Sequence, residues 1–168
     1  MLVPHRERGQ HGFTIIELMV VLSVIAVLMG IAVPTFVTAE STAQDTQAQS
    51  HLRSALDAAN TAFVDTQTFN GIGVSSLQAV EPSLHWSDAA TTGPHLIDVL
   101  QGDLPDATPP QAAISFAVSA GNGRCWYALQ ADGDSPYYGR GAASGGQCSA
   151  VNALTNVGNH RTFTDANA

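Results

Sequence analysis

A chain of 168 residues has room for one folded domain and an N-terminal extension. Its formal net charge is −8, it contains no lysine, and its six basic side chains are all arginines. Arg53, Arg124, Arg140 and Arg161 are scattered rather than clustered, which argues against nucleic-acid binding through the globular part, since neutralising phosphates takes grouped Arg or Lys.

The first predicted element is a short basic leader, residues 1–12, with Arg6 and Arg8 flanking Glu7. Its removal leaves four arginines against thirteen acidic residues, a net charge of −9. From Phe13 to Val37 the chain is apolar apart from Thr14, Glu17, Ser23, Thr35 and a few small residues. As a helix these 25 residues rise about 37 Å, more than the roughly 30 Å of bilayer hydrocarbon. The run is too long for a secretory signal peptide and no small-residue cleavage site closes it, so a transmembrane helix is predicted. Arg6 and Arg8 on its N-terminal side place that end in the cytoplasm and the residues past Val37 outside. Glu17 is out of place in such a helix. A carboxylate in hydrocarbon costs about 2.5–3.5 kcal/mol at the helix centre, less near the edge. It either snorkels to the interface or has a function there.

The residues taken together favour function. Gly12-Phe13-Thr14-Ile15-Ile16-Glu17-Leu18, behind a basic leader and ahead of an unbroken apolar run, resembles the class III signal of type IV prepilins and pseudopilins. That resemblance implies cleavage between Gly12 and Phe13 by a prepilin peptidase, which also methylates the new amino group of Phe13. It implies that Glu17 serves assembly by pairing with the Phe13 ammonium of a neighbouring subunit. The physics agrees: opposite charges attract strongly in a low dielectric, and each is costly to bury alone. The implied partners are this peptidase and methyltransferase, identical or related pilin subunits, the assembly platform, and the cytoplasmic membrane before assembly. Localisation follows as single-pass in that membrane, then in an extracellular pilus.

Within the apolar run, Pro34 cannot donate to the carbonyl of Gly30, and Gly30 is itself a weak helix former. A simple kink would answer to both residues. Type IV pilins share this layout, and the resemblance implies local melting of the helix around Gly30 and Pro34 in the filament.

Helical character continues beyond the span. Leu52, Leu56, Ala59 and Phe63 form one stripe, with Gln47, Gln49, Arg53, Asp57 and Asn60 mostly off it, so this half is amphipathic and packs on a domain. Asn70-Gly71 and Gly73 are expected to end it. Residues 71–112 carry turns and one short helical stretch, "SSLQAVEPSL". "HLIDVL" is a strand or a short helix. "AISFAV" and "RCWYALQA", separated by Gly121-Asn122-Gly123, read as a β-hairpin. "YYGRGAASGGQC" reads as a Gly-rich loop returning to the sheet, and the tail after Cys148 is weakly patterned.

Cys125 and Cys148, an even count beyond a membrane segment, suggest a disulfide in an oxidising compartment. "CWYAL" with a later Cys is also similar to pilins of GC-rich Gram-positive bacteria. The six histidines share no metal motif. Asp132-Gly133-Asp134 starts like a calcium loop, but Ser135-Pro136-Tyr137 breaks the pattern. No cofactor, metal or catalytic constellation is expected, and therefore no enzyme. Trp126, Tyr127, Tyr137 and Tyr138 are assigned to the core or to subunit contacts, and His51 to solvent.

The expected fold class is α+β, a pilin fold: a long N-terminal helix packed on a small antiparallel sheet. The expected segments are leader 1–12, membrane and assembly half 13–37, and extracellular globular domain 38–168. The expected function is a type IV pilin subunit. The alternatives are a pseudopilin of a type II secretion or DNA-uptake system, or an anchored binding module that never polymerises. An anchor alone has no use for Glu17.

Overall fold

The structure, a computed structural model, describes residues 12–104 and 109–156. The expected leader up to His11 and the tail from Val157 lie outside them. The chain divides into two compact units, Met1–Glu40 and Ser41–Ala168, each taken here by itself.

In the first unit, helix α1 (Ile15–Thr66) begins and runs through Gly30 and Pro34 without interruption. Every large apolar side chain from Ile15 to Val37 is exposed. Hydroxyls in this stretch turn back onto the helix: Ser23 donates to the Val20 carbonyl at 2.8 Å, Thr35 to Ala32 at 2.8 Å and Thr38 to Pro34 at 3.1 Å. Such bonds satisfy a hydroxyl donor on the helix itself. Among the described residues α1 is the one helix long and apolar enough to cross a membrane.

The second unit starts on the same helix. Ala48, Leu52, Ala55, Leu56, Ala58 and Ala59 are buried and Phe63 is half-buried, so the expected stripe faces the core. Its off-stripe neighbours Gln47, Arg53 and Asp57 are exposed. The helix stops earlier than the glycines suggested. Gln67 adopts φ 57° and its N–H bonds the Phe63 carbonyl at 2.7 Å, a left-handed cap provided by a residue other than glycine. The cause is tertiary. Asp132, at the far end of the sheet, accepts Thr68 Oγ1 at 2.7 Å and Phe69 N–H at 2.8 Å, pulling the chain out of the helix before Asn70-Gly71.

Helix α2 (Val74–Val80) follows, within "SSLQAVEPSL" as expected. The five strands are β1 (His85–Ser87), β2 (Leu96–Asp103), β3 (Ala112–Ser119), β4 (Arg124–Ala131) and β5 (Tyr137–Ala142), in spatial order β1-β2-β3-β4-β5. β1, too short to stand out in the sequence, pairs parallel with β2, and the remaining pairs are antiparallel. "HLIDVL" is thus strand, and the hairpin of "AISFAV" and "RCWYALQA" is present. "YYGRGA" corrects the loop reading: it is strand β5, paired to β4 from Leu129↔Tyr137 to Arg124↔Ala142. Its glycines hid it, because they carry no alternating side chain.

Both faces of β3 and β4 are buried. Ile114, Phe116, Val118, Trp126 and Ala128 join the core under α1 and α2. Ala113, Ala117, Cys125, Tyr127 and Leu129 form a second core. That core includes Ala150 and Ala153, from a 3-10 turn (Ala150–Asn152) and the short helix α3 (Ala153–Asn156). The arrangement is α+β and pilin-like, a long helix on a five-stranded, mostly antiparallel sheet, with the C-terminal segment laid over the opposite face.

Candidate processing and assembly segment

The helix start places the residues of interest. Thr14 immediately precedes the first helical residue, and its Oγ1 accepts the N–H of Glu17 at 3.2 Å. Leu18 N–H reaches the Thr14 carbonyl at 3.2 Å. Thr14-Ile15-Ile16-Glu17 is therefore the N-terminal half of a capping box, with Thr at the cap and Glu at the third helical position. The sequence reading missed this, although Thr followed three residues later by Glu ahead of an apolar run is its signal. At that position a carboxylate also faces the positive end of the helix dipole, worth about 0.3–1 kcal/mol. Glu17 is less costly there than in mid-helix, and it lies four residues past Phe13.

Phe13 is exposed. A Cβ placed on Gly12 would meet nothing within 4 Å, and the same holds for Gly30. Nothing inside the described chain therefore requires glycine at position 12 for packing. Gly12, Phe13 and Glu17 lie together at the head of α1. Gly30 and Pro34 lie further along it, in unbroken helix.

Beyond the segment, Cys125 and Cys148 form a disulfide with Cα atoms 5.5 Å apart. Backbone bonds between Thr91 and Cys148, 2.7 Å each way, tie the same point to the loop before β2. Asp98, buried on β2, accepts the Ala150 N–H at 2.7 Å. The carboxylates once considered for calcium are occupied otherwise: Asp132 by Thr68 and Phe69, Asp134 by the Tyr137 hydroxyl at 2.8 Å and Ser135 N–H at 2.8 Å. Trp126 and Tyr127 are core residues. His51 departs from expectation. It is half-buried, and its Nδ1 donates to the Pro94 carbonyl at 3.1 Å. Its ring centroid lies 5.7 Å from that of His95. Burial lowers its pKa, the bond to Pro94 opposes this, and His95 and His85 add to the lowering.

An exposed apolar helix headed by Gly, Phe and a capped Glu leads into a small α+β domain, the arrangement of a pilin-like protein. Residues 8–33 match the family model described as the prokaryotic N-terminal methylation motif. The match supports a class III signal of the type IV pilin-like and pseudopilin kind. No curated protein and no solved structure matches the chain.

Proposed function

We propose that the chain is a type IV pilin subunit, cut between Gly12 and Phe13, methylated on Phe13, and polymerised through its N-terminal helix. The observation that carries this reading is Glu17, an acid one turn into a helix whose apolar half leaves every large side chain exposed from Ile15 to Val37. Before assembly, lipid covers that surface, with the leader in the cytoplasm and the domain outside. After assembly, neighbouring helices cover it, and Glu17 meets the Phe13 ammonium of an adjacent subunit. Each charge is expensive to bury alone and is satisfied by the other, so docking on the filament is favoured over remaining in lipid. The open surroundings of Gly12 support an external reason for glycine, namely recognition by the peptidase. Gly30 and Pro34 are the place where the helix loosens on packing into the filament.

Mass spectrometry of filament protein tests the processing step: the expected first residue is N-methylated Phe13, and intact Met1 in assembled filaments would overturn it. Glu17→Ala tests assembly. The variant is expected in the membrane at normal level but with few or no filaments by electron microscopy, whereas normal filament yield would refute the charge pairing.

A further inference from the structure

The sequence contains two Asn-Gly pairs, Asn70-Gly71 and Asn122-Gly123, and the fold treats them in opposite ways. Both lie in turns with glycine at positive φ, 87° and 81°. Asn-Gly is the dipeptide in which the backbone nitrogen most readily attacks the side chain before it, because glycine has no Cβ to hinder approach and the widest backbone freedom. What differs is how firmly each carboxamide is held.

Asn70 and Gly71 are exposed at the tip of a turn closed by Ile72 N–H bonding the Phe69 carbonyl at 3.2 Å. The Asn70 backbone N–H donates to Thr68 Oγ1 at 3.2 Å. Among the described residues neither the Asn70 carboxamide nor the Gly71 N–H has a hydrogen-bond partner. The Asn122 carboxamide is clamped. Its Nδ2 donates to the Ser41 carbonyl at 3.3 Å, Ser41 Oγ at 3.2 Å and Asp45 Oδ1 at 3.1 Å, and its Oδ1 accepts Arg124 N–H at 3.1 Å.

We propose that Asn70 is a site of spontaneous backbone modification, and that Asn122 is protected from the same reaction by its clamp. In this reaction the Gly71 nitrogen attacks Cγ of Asn70. The new C–N bond forms, the Cγ–Nδ2 bond breaks, and ammonia leaves with the proton lost by Gly71. Water then opens the cyclic imide at either carbonyl, giving aspartate or isoaspartate. No oxidant or other reactant is needed. Either product adds a negative charge to an already acidic chain. Isoaspartate also adds a carbon to the main chain between Phe69 and Ile72, which are 1% and 2% exposed. The change therefore bears on the point where the end of α1 is anchored to Asp132. A subunit outside the cell ages at this turn, and the inference holds whether or not the chain polymerises.

The test uses the full chain in detergent, incubated at mildly alkaline pH and physiological temperature, and sampled over days. Peptide mapping follows the amide-to-acid mass change, and an isoaspartyl methyltransferase with labelled methyl donor marks isoaspartate. The Asn70 peptide is expected to convert at least roughly tenfold faster than the Asn122 peptide, since reaction at Asn122 must first break several hydrogen bonds. Asn70→Gln should remove the label. Unfolding with denaturant and reductant should bring Asn122 to the rate of Asn70. Equal rates in the folded chain, or an Asn70 inert when folded but reactive when unfolded, would overturn the proposal.

Discussion

Glu17 is held at the helix start by Thr14, and in the proposed filament it meets a second demand. The capping geometry with Thr14 accounts for an acid at the third position of a helix, and the helix dipole favours it there. Neither accounts for an acid between a Gly-Phe pair and twenty apolar residues, and the proposed assembly role would cover that remainder. At the same scale His51 is a pH-sensitive point in the globular unit. Burial, together with His95 and His85, lowers its pKa in the fold below the unfolded value of about 6.5. The fold thus prefers neutral His51. Its contribution is complete above the unfolded pKa and is lost as pH falls through it toward the folded pKa. Thermal unfolding of the full chain in detergent should show a Tm that declines below about pH 6.5. In His51→Gln that decline should be shallower, and an unchanged decline would remove His51 as its cause.

Helix α1 carries the element-scale expectations. Leu52 is 0% exposed and Val64 is 68% exposed on the same helix. Leu52→Ala is expected to cost about 2–5 kcal/mol in denaturant unfolding. Val64→Ala should stay within about 0.5 kcal/mol. A second contact holds α1 to the β3–β4 hairpin. Asp45 Oδ1 accepts Trp126 Nε1 at 3.1 Å and Asn122 Nδ2 at 3.1 Å, while Oδ2 pairs with Arg124 at 2.9 Å. The ion pair is partly solvated and worth about 0–1 kcal/mol. The acceptor for the Trp126 indole matters more. Asp45→Ala should cost about 1–3 kcal/mol, because it removes that acceptor from a buried donor. Asp45→Asn keeps an oxygen there and should cost clearly less. Equal losses would assign the effect to charge instead.

In the globular unit as a whole, the Cys125–Cys148 bridge joins strand β4 to the segment covering its outer face. It closes a loop across a sequence separation of 23. The chain-entropy model gives about 3 kcal/mol for a loop of this length. Replacing both cysteines by serine is expected to lower stability by that order, read as a shifted denaturant midpoint. The bridge is not alone in holding the cover, since Asp98 binds Ala150 and Thr91 pairs with Cys148. The double variant should therefore still fold at low temperature, with an intact near-UV signal from Trp126.

Much of this molecule was legible in local pattern, because the forces behind those features act over a few residues. Length and hydropathy set the apolar helix, the Gly-Phe-Glu spacing marked the signal, and a 3.6-residue stripe aimed Leu52 and Leu56 inward. Alternation and a glycine turn gave the β3–β4 hairpin, and an even count of two cysteines beyond the apolar helix suggested their bond. Other features answered to partners distant in the chain. Asp132 ended α1 several residues before the first glycine, and pairing with β4 made a strand of the glycine-rich Tyr137–Ala142. Packing against Pro94 and His95 drew His51 out of solvent, and the C-terminal cover buried a second sheet face. In each of these cases the deciding hydrogen bond or contact comes from residues far along the chain, so no window of neighbouring residues contains it.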